Sequence, residues 1–310
     1  MTIVALRALG LGDLLTAVPA LRALRRAHPG QPLLLAAPPW LTEAAAATGA
    51  VDRLVPADAP GRAVPASIPW AGPRPDLAVD LHGSGPESLR PLGALRPGRL
   101  FGYAHPSGPA WDANEHERDR WCRLLTSYGI PADPADLRIP PPATPSPAPG
   151  AVVLHPGADA GARRWPADRF AALGRALARD GHRVVVTGGP AEAPLVHRVT
   201  ELAGLPPTAA LIALPFPALA ALTAAARAVV VGDTGIAHLA TALATPSITL
   251  FGPVSPRLWG PPDSARHRVL WHPGLPHTGT PHGRVPDERL LAIGTAEALS
   301  AVRSLPEGPA

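Results

Sequence analysis

The strongest constraint on the fold is a strand–helix alternation that halts at a proline-dense stretch and then restarts. In the first half, short apolar runs at Ile3–Arg7, Gln31–Ala36, Leu77–Leu81 and Leu100–Tyr103 read as buried strands. Between and after them, Leu14–His28, Trp40–Thr48 and Glu115–Tyr128 carry helical spacing, with Pro19 as a predicted kink in the first. "IPPPATPSPAPG", Ile139–Gly150, supports neither a helix nor an inner strand, because proline removes the backbone donor that both need. Past it, strands are predicted at Val152–His155, Arg183–Gly188, Val229–Val231 and Ser247–Phe251. Helices are predicted at Pro166–Asp180, Ala191–Ala203, Pro217–Ala226, Ile236–Leu243 and Asp287–Arg303. Such alternation, run twice, predicts two doubly wound α/β domains. Ligands in sheets of this kind sit outside the carboxyl ends of the strands.

Charge and cysteine content narrow the function classes. The net charge is +4, the basic residues are all Arg, and aromatic residues make up 4%. With no basic tail and few aromatics, nucleic acid is not an expected partner. The single Cys122 excludes an internal disulfide framework and a Cys-rich metal site. No apolar run approaches the ~20 residues of a membrane span. The chain opens directly on a strand pattern without a secretory leader's layout, so the expected location is cytoplasmic.

Three segments carry chemistry. In "LGLGDLLTAVP", Leu9–Pro19, Gly10 and Gly12 lie between strand and helix, with Asp13 at the helix start. Asp is a good N-cap, which is the bland reading of Asp13. Leu15 stands where a dinucleotide fingerprint would place its third glycine, which argues against a nicotinamide cofactor. In "VVVGDTGIAHLATALATPSITLFGP", Val229–Pro253, a buried strand runs into Asp233, Thr234 and Gly235 and then a helix bearing His238. Free amides and a hydroxyl at that helix start suit a diphosphate. Asp233 suits sugar hydroxyls or a cap, and His238 suits a ligand contact or simple packing. In "HPGADAGARRWPADRF", His155–Phe170, a glycine-containing loop leads to Arg163 and Arg164 before a helix. That pair suits either a leaving diphosphate or solvent.

Taken together, and with "DLAVDLHG" (Asp76–Gly83), "FGY" (Phe101–Tyr103) and the terminal "VPDERLLAI", these segments resemble glycosyltransferase family 9, the ADP-heptose:lipopolysaccharide heptosyltransferases. The resemblance implies a GT-B fold: two Rossmann-like domains facing each other across a cleft. Residues 1–138 would form the acceptor-side domain, 139–150 the linker, 151–286 the nucleotide-sugar domain, and 287–310 a helix packing back toward the first. It implies an inverting, metal-independent transfer of a sugar, such as heptose from ADP-heptose, to a glycan or glycolipid, with no cofactor. Asp13 would be the general base on the loop of Gly10 and Gly12. Arg163, Glu192, Leu214, Asp233, Thr234, Gly235 and His238 would bind the donor. Arg163 replaces the family's lysine, and Ala158 and Asp159 supply none of the hydroxyls some members have there. A glycolipid acceptor would bring the protein to the inner membrane face. Two alternatives remain: a non-catalytic sugar-nucleotide binder, and an epimerase on the same scaffold.

Two other patterns carry less. His267, His272, His277 and His282 recur in a Pro/Gly-rich stretch without Cys or acid partners, which reads as solvated loop. Ser84, in "HGSG", does not form a nucleophile elbow.

Overall fold

The computed structural model describes residues 2–275 and 280–306. His277 lies outside them. The chain divides into two compact units, Met1–Pro140 and Pro141–Ala310, and the division falls inside the proline-dense stretch.

The first unit runs β1 (Ile3–Leu6), α1 (Leu11–Thr16), α2 (Val18–Ala27), β2 (Leu33–Ala37), α3 (Thr42–Ala47), β3 (Arg53–Pro56), β4 (Leu77–Asp80), α4 (Pro86–Gly93), β5 (Arg99–Phe101) and α5 (Glu117–Ser127). Its five strands form one parallel sheet in the order β3-β2-β1-β4-β5. The central strands β1, β2 and β4 are buried at every residue, as continuous apolar runs must be in a sheet covered on both faces. The helix predicted over Leu14–His28 is two helices, and Ala17 is both the C-cap of the first and the N-cap of the second. Pro19 lies in the first turn of α2, where its missing N–H removes no helical bond.

The second unit runs β6 (Val152–His155), α6 (Ala167–Arg179), β7 (Val184–Gly188), α7 (Ala193–Ala203), β8 (Ala210–Ile212), α8 (Phe216–Ala224), β9 (Ala228–Gly232), α9 (Gly235–Ala242), β10 (Ser247–Leu250), α10 (Pro256–Trp259), β11 (His267–Leu270), α11 (Glu288–Ala292) and α12 (Thr295–Arg303). Six parallel strands follow the order β11-β10-β9-β6-β7-β8. The predicted terminal helix is broken by Ile293, whose ψ of 112° is extended, and by Gly294. The described part of the 287–310 segment packs on the core of this second unit. Here α12 packs on α6 and β10, and Leu290, Ile293, Ala298, Val302 and Leu305 join the core around Trp165 and Phe170. The Trp165 indole donates to the Ile293 carbonyl at 3.0 Å and meets Phe170 edge-on. This locks the chain just after Arg163 and Arg164 onto the unit's own C-terminal segment.

In both sheets the strand order reverses direction once, between β1 and β4 in the first and between β6 and β9 in the second. Such switch points open a crevice at the strands' carboxyl ends. Asp13 lies by the first, and Asp233, Thr234 and Gly235 lie by the second.

Candidate functional site

At the first switch point β1 is followed directly by Arg7, whose side chain is fully buried. Burying a guanidinium requires that its donors be met, and each of its three nitrogens finds an oxygen. Nε donates to the Asp13 carbonyl (2.9 Å), Nη1 to the Leu81 carbonyl (2.5 Å), and Nη2 to Glu117 (2.8 Å) and Thr16 Oγ1 (3.3 Å). Glu117 also accepts from the Trp121 indole at 2.9 Å and from Arg120. Burial alone would push the Glu117 carboxyl up, but Arg7, Arg120 and these hydrogen bonds outweigh it and hold it below its ordinary value.

Asp13 rests on this base. It is not an N-cap. Gly10 caps α1, and Asp13, as the third helical residue, reaches back so that Oδ2 accepts the Gly10 N–H at 3.0 Å. Gly12 lies inside the helix, not in the turn, and Gly10 has an ordinary φ of −89°. The two glycines therefore do not supply an unusual backbone path here. What Gly10 leaves free is space: a Cβ there would come within 3.1 Å of the Arg62 guanidinium. Arg62 approaches Asp13 Oδ2 at 3.9 Å, and Arg7 approaches Oδ1 at 3.7 Å. Arg62 is held at φ 61°, a left-handed conformation uncommon for a residue with a side chain.

Beside β1, strand β4 ends in Asp80. This buried carboxylate accepts from the His82 and Gly83 amides and from Ser88. Burial raises its pKa to about 6 against the hydrogen bonds and Arg7. The turn it makes brings His82 Nδ1 to the Ala8 N–H at 3.2 Å.

At the second switch point β9 ends in Gly232, followed by Asp233, Thr234 and α9. Asp233 is buried, and its Oδ2 accepts from Arg163 Nη1 at 3.2 Å. The structure thus joins two predicted residues that lie seventy positions apart. A Cβ on Gly232 would come within 2.9 Å of the Arg163 carbonyl, so only glycine lets the Arg163 loop cross so closely. Arg163 Nε donates to the Pro281 carbonyl at 3.3 Å, and the Ala162 amide to the Gly283 carbonyl at 2.8 Å. Thr234 is the N-cap of α9 with Gly235 first in the helix, yet its hydroxyl caps nothing and is buried without a hydrogen-bond partner. The buried Thr234 hydroxyl at this helix N-terminus, near a guanidinium, is a donor that an oxyanion could take up. His238, one turn along α9, meets the Trp259 ring edge-on at 5.9 Å.

Glu192 closes a short turn after β7. Its Oε2 accepts the Gly189 N–H at 2.8 Å and lies 3.9 Å from His155 Nε2. Its Oε1 lies over Gly157, where a Cβ would stand 1.9 Å away. Burial lowers the His155 pKa, with Glu192 pulling the other way. Leu214 is half-buried in the loop after β8. Ala158 is buried and Asp159 exposed.

Among the described residues, the histidines of the 267–282 stretch are not grouped at one site. His267 bonds Ser247 from within β11, and His272 pairs with Glu297 at 3.2 Å. Among the described residues no three His, Cys, Asp or Glu side chains are grouped to hold a metal ion. Sequence reasoning missed Arg7, Arg62, Asp80, His82, Glu117 and Trp259. The readable signals were a charge closing the buried run "IVALR" and the "DLHG" turn.

Residues 134–280 match the profile of glycosyltransferase family 9 (heptosyltransferase). Lipopolysaccharide heptosyltransferase 1 of Pseudomonas aeruginosa is 32% identical over 166 residues, 52% of this chain and 46% of that protein. The chain thus matches about half the length of that curated relative. The structure of Escherichia coli ADP-heptose lps heptosyltransferase II superposes with a TM-score of 0.77 at 20% identity, covering 98% of each chain. An E. coli heptosyltransferase solved with ADP gives 0.68 at 20% identity, covering 99% of this chain and all of that one. These likenesses establish the fold as that of the GT-B heptosyltransferases. In sequence, the likeness to glycosyltransferase family 9 spans residues 134–280, just under half of the chain, and heptosyltransferases are the relatives it matches.

Proposed function

We propose that the protein is an inverting glycosyltransferase that moves a heptose from ADP-heptose to a glycan or glycolipid without a metal ion. The observation that carries this reading is the second switch point. There Arg163, Asp233, the unpartnered Thr234 hydroxyl and the amides of α9 meet at one crevice. A diphosphate satisfies the hydroxyl and amides while its charge meets Arg163, so the site has its own counter-charge for the leaving group. Asp233 and Glu192 supply acceptors for sugar and ribose hydroxyls, and Leu214 an apolar surface for the base. The relative solved with ADP supports the choice of nucleotide.

Asp13 takes the proton of an acceptor hydroxyl. The hydroxyl oxygen forms its bond to the anomeric carbon as the bond to the phosphate oxygen breaks, and ADP leaves with the electron pair. One displacement inverts the configuration. A lipid-linked acceptor would bring the first unit to the inner face of the membrane. Among the described residues no helix is long and apolar enough to cross one.

Titration with ADP, GDP, UDP and dTDP, with EDTA and with Mg²⁺, tests the donor assignment. ADP should bind selectively in both conditions, and Asp233→Ala should weaken ADP-heptose more than ADP. Equal binding of all four, or dependence on Mg²⁺, contradicts it.

A further inference from the structure

We propose that His82 contacts the acceptor, donating from Nε2 to a sugar oxygen beside the hydroxyl that Asp13 deprotonates. This rests on the glycosyl-transfer reading above. Asp80, at the end of β4, accepts from the amides of His82 and Gly83 and so fixes the path of that loop. The loop presents the imidazole to the β1–α1 loop, where Nδ1 accepts the Ala8 N–H at 3.2 Å. A backbone amide only donates, so Nδ1 carries no proton and the neutral ring holds its proton on Nε2. Burial, reinforced by Arg7, lowers the His82 pKa to about 4, although Asp13 pulls the other way. The ring is therefore uncharged at neutral pH and adds no third cation to the Arg7 and Arg62 that flank the Asp13 carboxylate.

The same loop holds both groups. The Ala8 amide fixes His82, and the Gly10 amide, two residues on, fixes Asp13 Oδ2. Both side chains stand at the carboxyl ends of adjacent strands β1 and β4, at the first sheet's switch point. Among the described residues Nε2 has no protein partner, and the ring is half-buried, within reach of a ligand. A donor-only, neutral group so placed suits a hydroxyl, ring or carboxylate oxygen of a sugar.

Two substitutions separate this role from a structural one. His82→Asn keeps an oxygen near the Nδ1 position for the Ala8 amide but loses the distal donor. His82→Gln carries an amide N–H₂ out to the Nε2 position. Transfer from ADP-heptose to lipopolysaccharide stripped of heptose is measured at saturating donor, with ADP affinity measured separately on each variant. We expect His82→Asn to melt like wild type and bind ADP normally, with kcat/KM for the acceptor reduced ~10–100-fold, and His82→Gln to recover most of it. Wild-type transfer with His82→Asn unimpaired, or with His82→Gln the worse variant, overturns the acceptor contact while leaving glycosyl transfer intact. A wild-type protein that binds ADP and transfers nothing overturns the parent reading and this inference with it.

Discussion

Replacing Glu117 by alanine should be among the most damaging single changes in the first unit. Its carboxylate is the shared counter-charge of two buried guanidiniums, Arg7 at 1% exposure and Arg120 at 6%, and it accepts the Trp121 indole as well. Without it the nearest carboxylate to Arg7 is Asp13 at 3.7 Å, the rest of its partners being neutral oxygens, and Arg120 keeps only carbonyl oxygens. Removing one partner of a buried ion pair costs about 3–5 kcal/mol because the other charge stays buried. At roughly 3–5 °C per kcal/mol for a unit of this size, the melting transition of the first unit should fall by ~10–20 °C. The pH dependence is fixed in sign. Glu117 is depressed in the folded state, so its contribution is present above the unfolded value of ~4.3 and is lost as pH falls through the folded one. Calorimetry on the whole chain at pH 7 and across the acid range checks both points. The gap to wild type should be full at neutral pH and narrow below about pH 4. A Glu117→Ala protein melting within ~2 °C of wild type at pH 7, or a gap widening in acid, refutes the reasoning.

Arg163→Ala should weaken ADP by ~10–100-fold, the range for losing a charge-assisted hydrogen bond, as read by calorimetric titration. Arg163→Lys should recover the charge but not the full affinity, since the fork geometry is lost. Asp80 makes an opposite pH prediction to Glu117. Its pKa is raised from 3.8 to about 6, so wild-type stability should decline as pH rises from about 4 to 6, by up to about 3 kcal/mol from this group. Asp80→Asn should not show that component in denaturation curves across the range, and an identical profile for both proteins would remove it.

Much of the fold was legible because the central strands are unbroken apolar runs. Val152–His155 is predicted and observed with the same bounds. The missed elements have weak or contradictory local signals. Strand β3 carries an exposed Arg53 and Pro56 at the sheet edge, β8 has three residues, and α4 contains Pro91. Sheet pairing and packing, not propensity, place them. The two over-long helices failed because 3.6-residue periodicity continues across Ala17 and across Ile293–Gly294 while the backbone does not. In the candidate site, the motif residues of the second unit were readable because Asp233, Thr234 and Gly235 are adjacent in sequence. The meeting of Arg163 with Asp233, and of Arg7 with Glu117 across 110 positions, depends on strand order, which spacing does not carry. Asp13 was placed one turn early. Its carboxylate reaching back to Gly10 mimics a cap in sequence but occupies the third helical position.

The most direct test of the central claim is product formation by wild type and Asp13→Asn with ADP-heptose and lipopolysaccharide stripped of heptose, in EDTA. The product's anomeric linkage is then read by NMR. ADP release should be matched by one new glycosidic bond of inverted configuration, and Asp13→Asn should transfer at least ~100-fold more slowly with ADP affinity unchanged. Retained configuration, or undiminished transfer by Asp13→Asn, would contradict it.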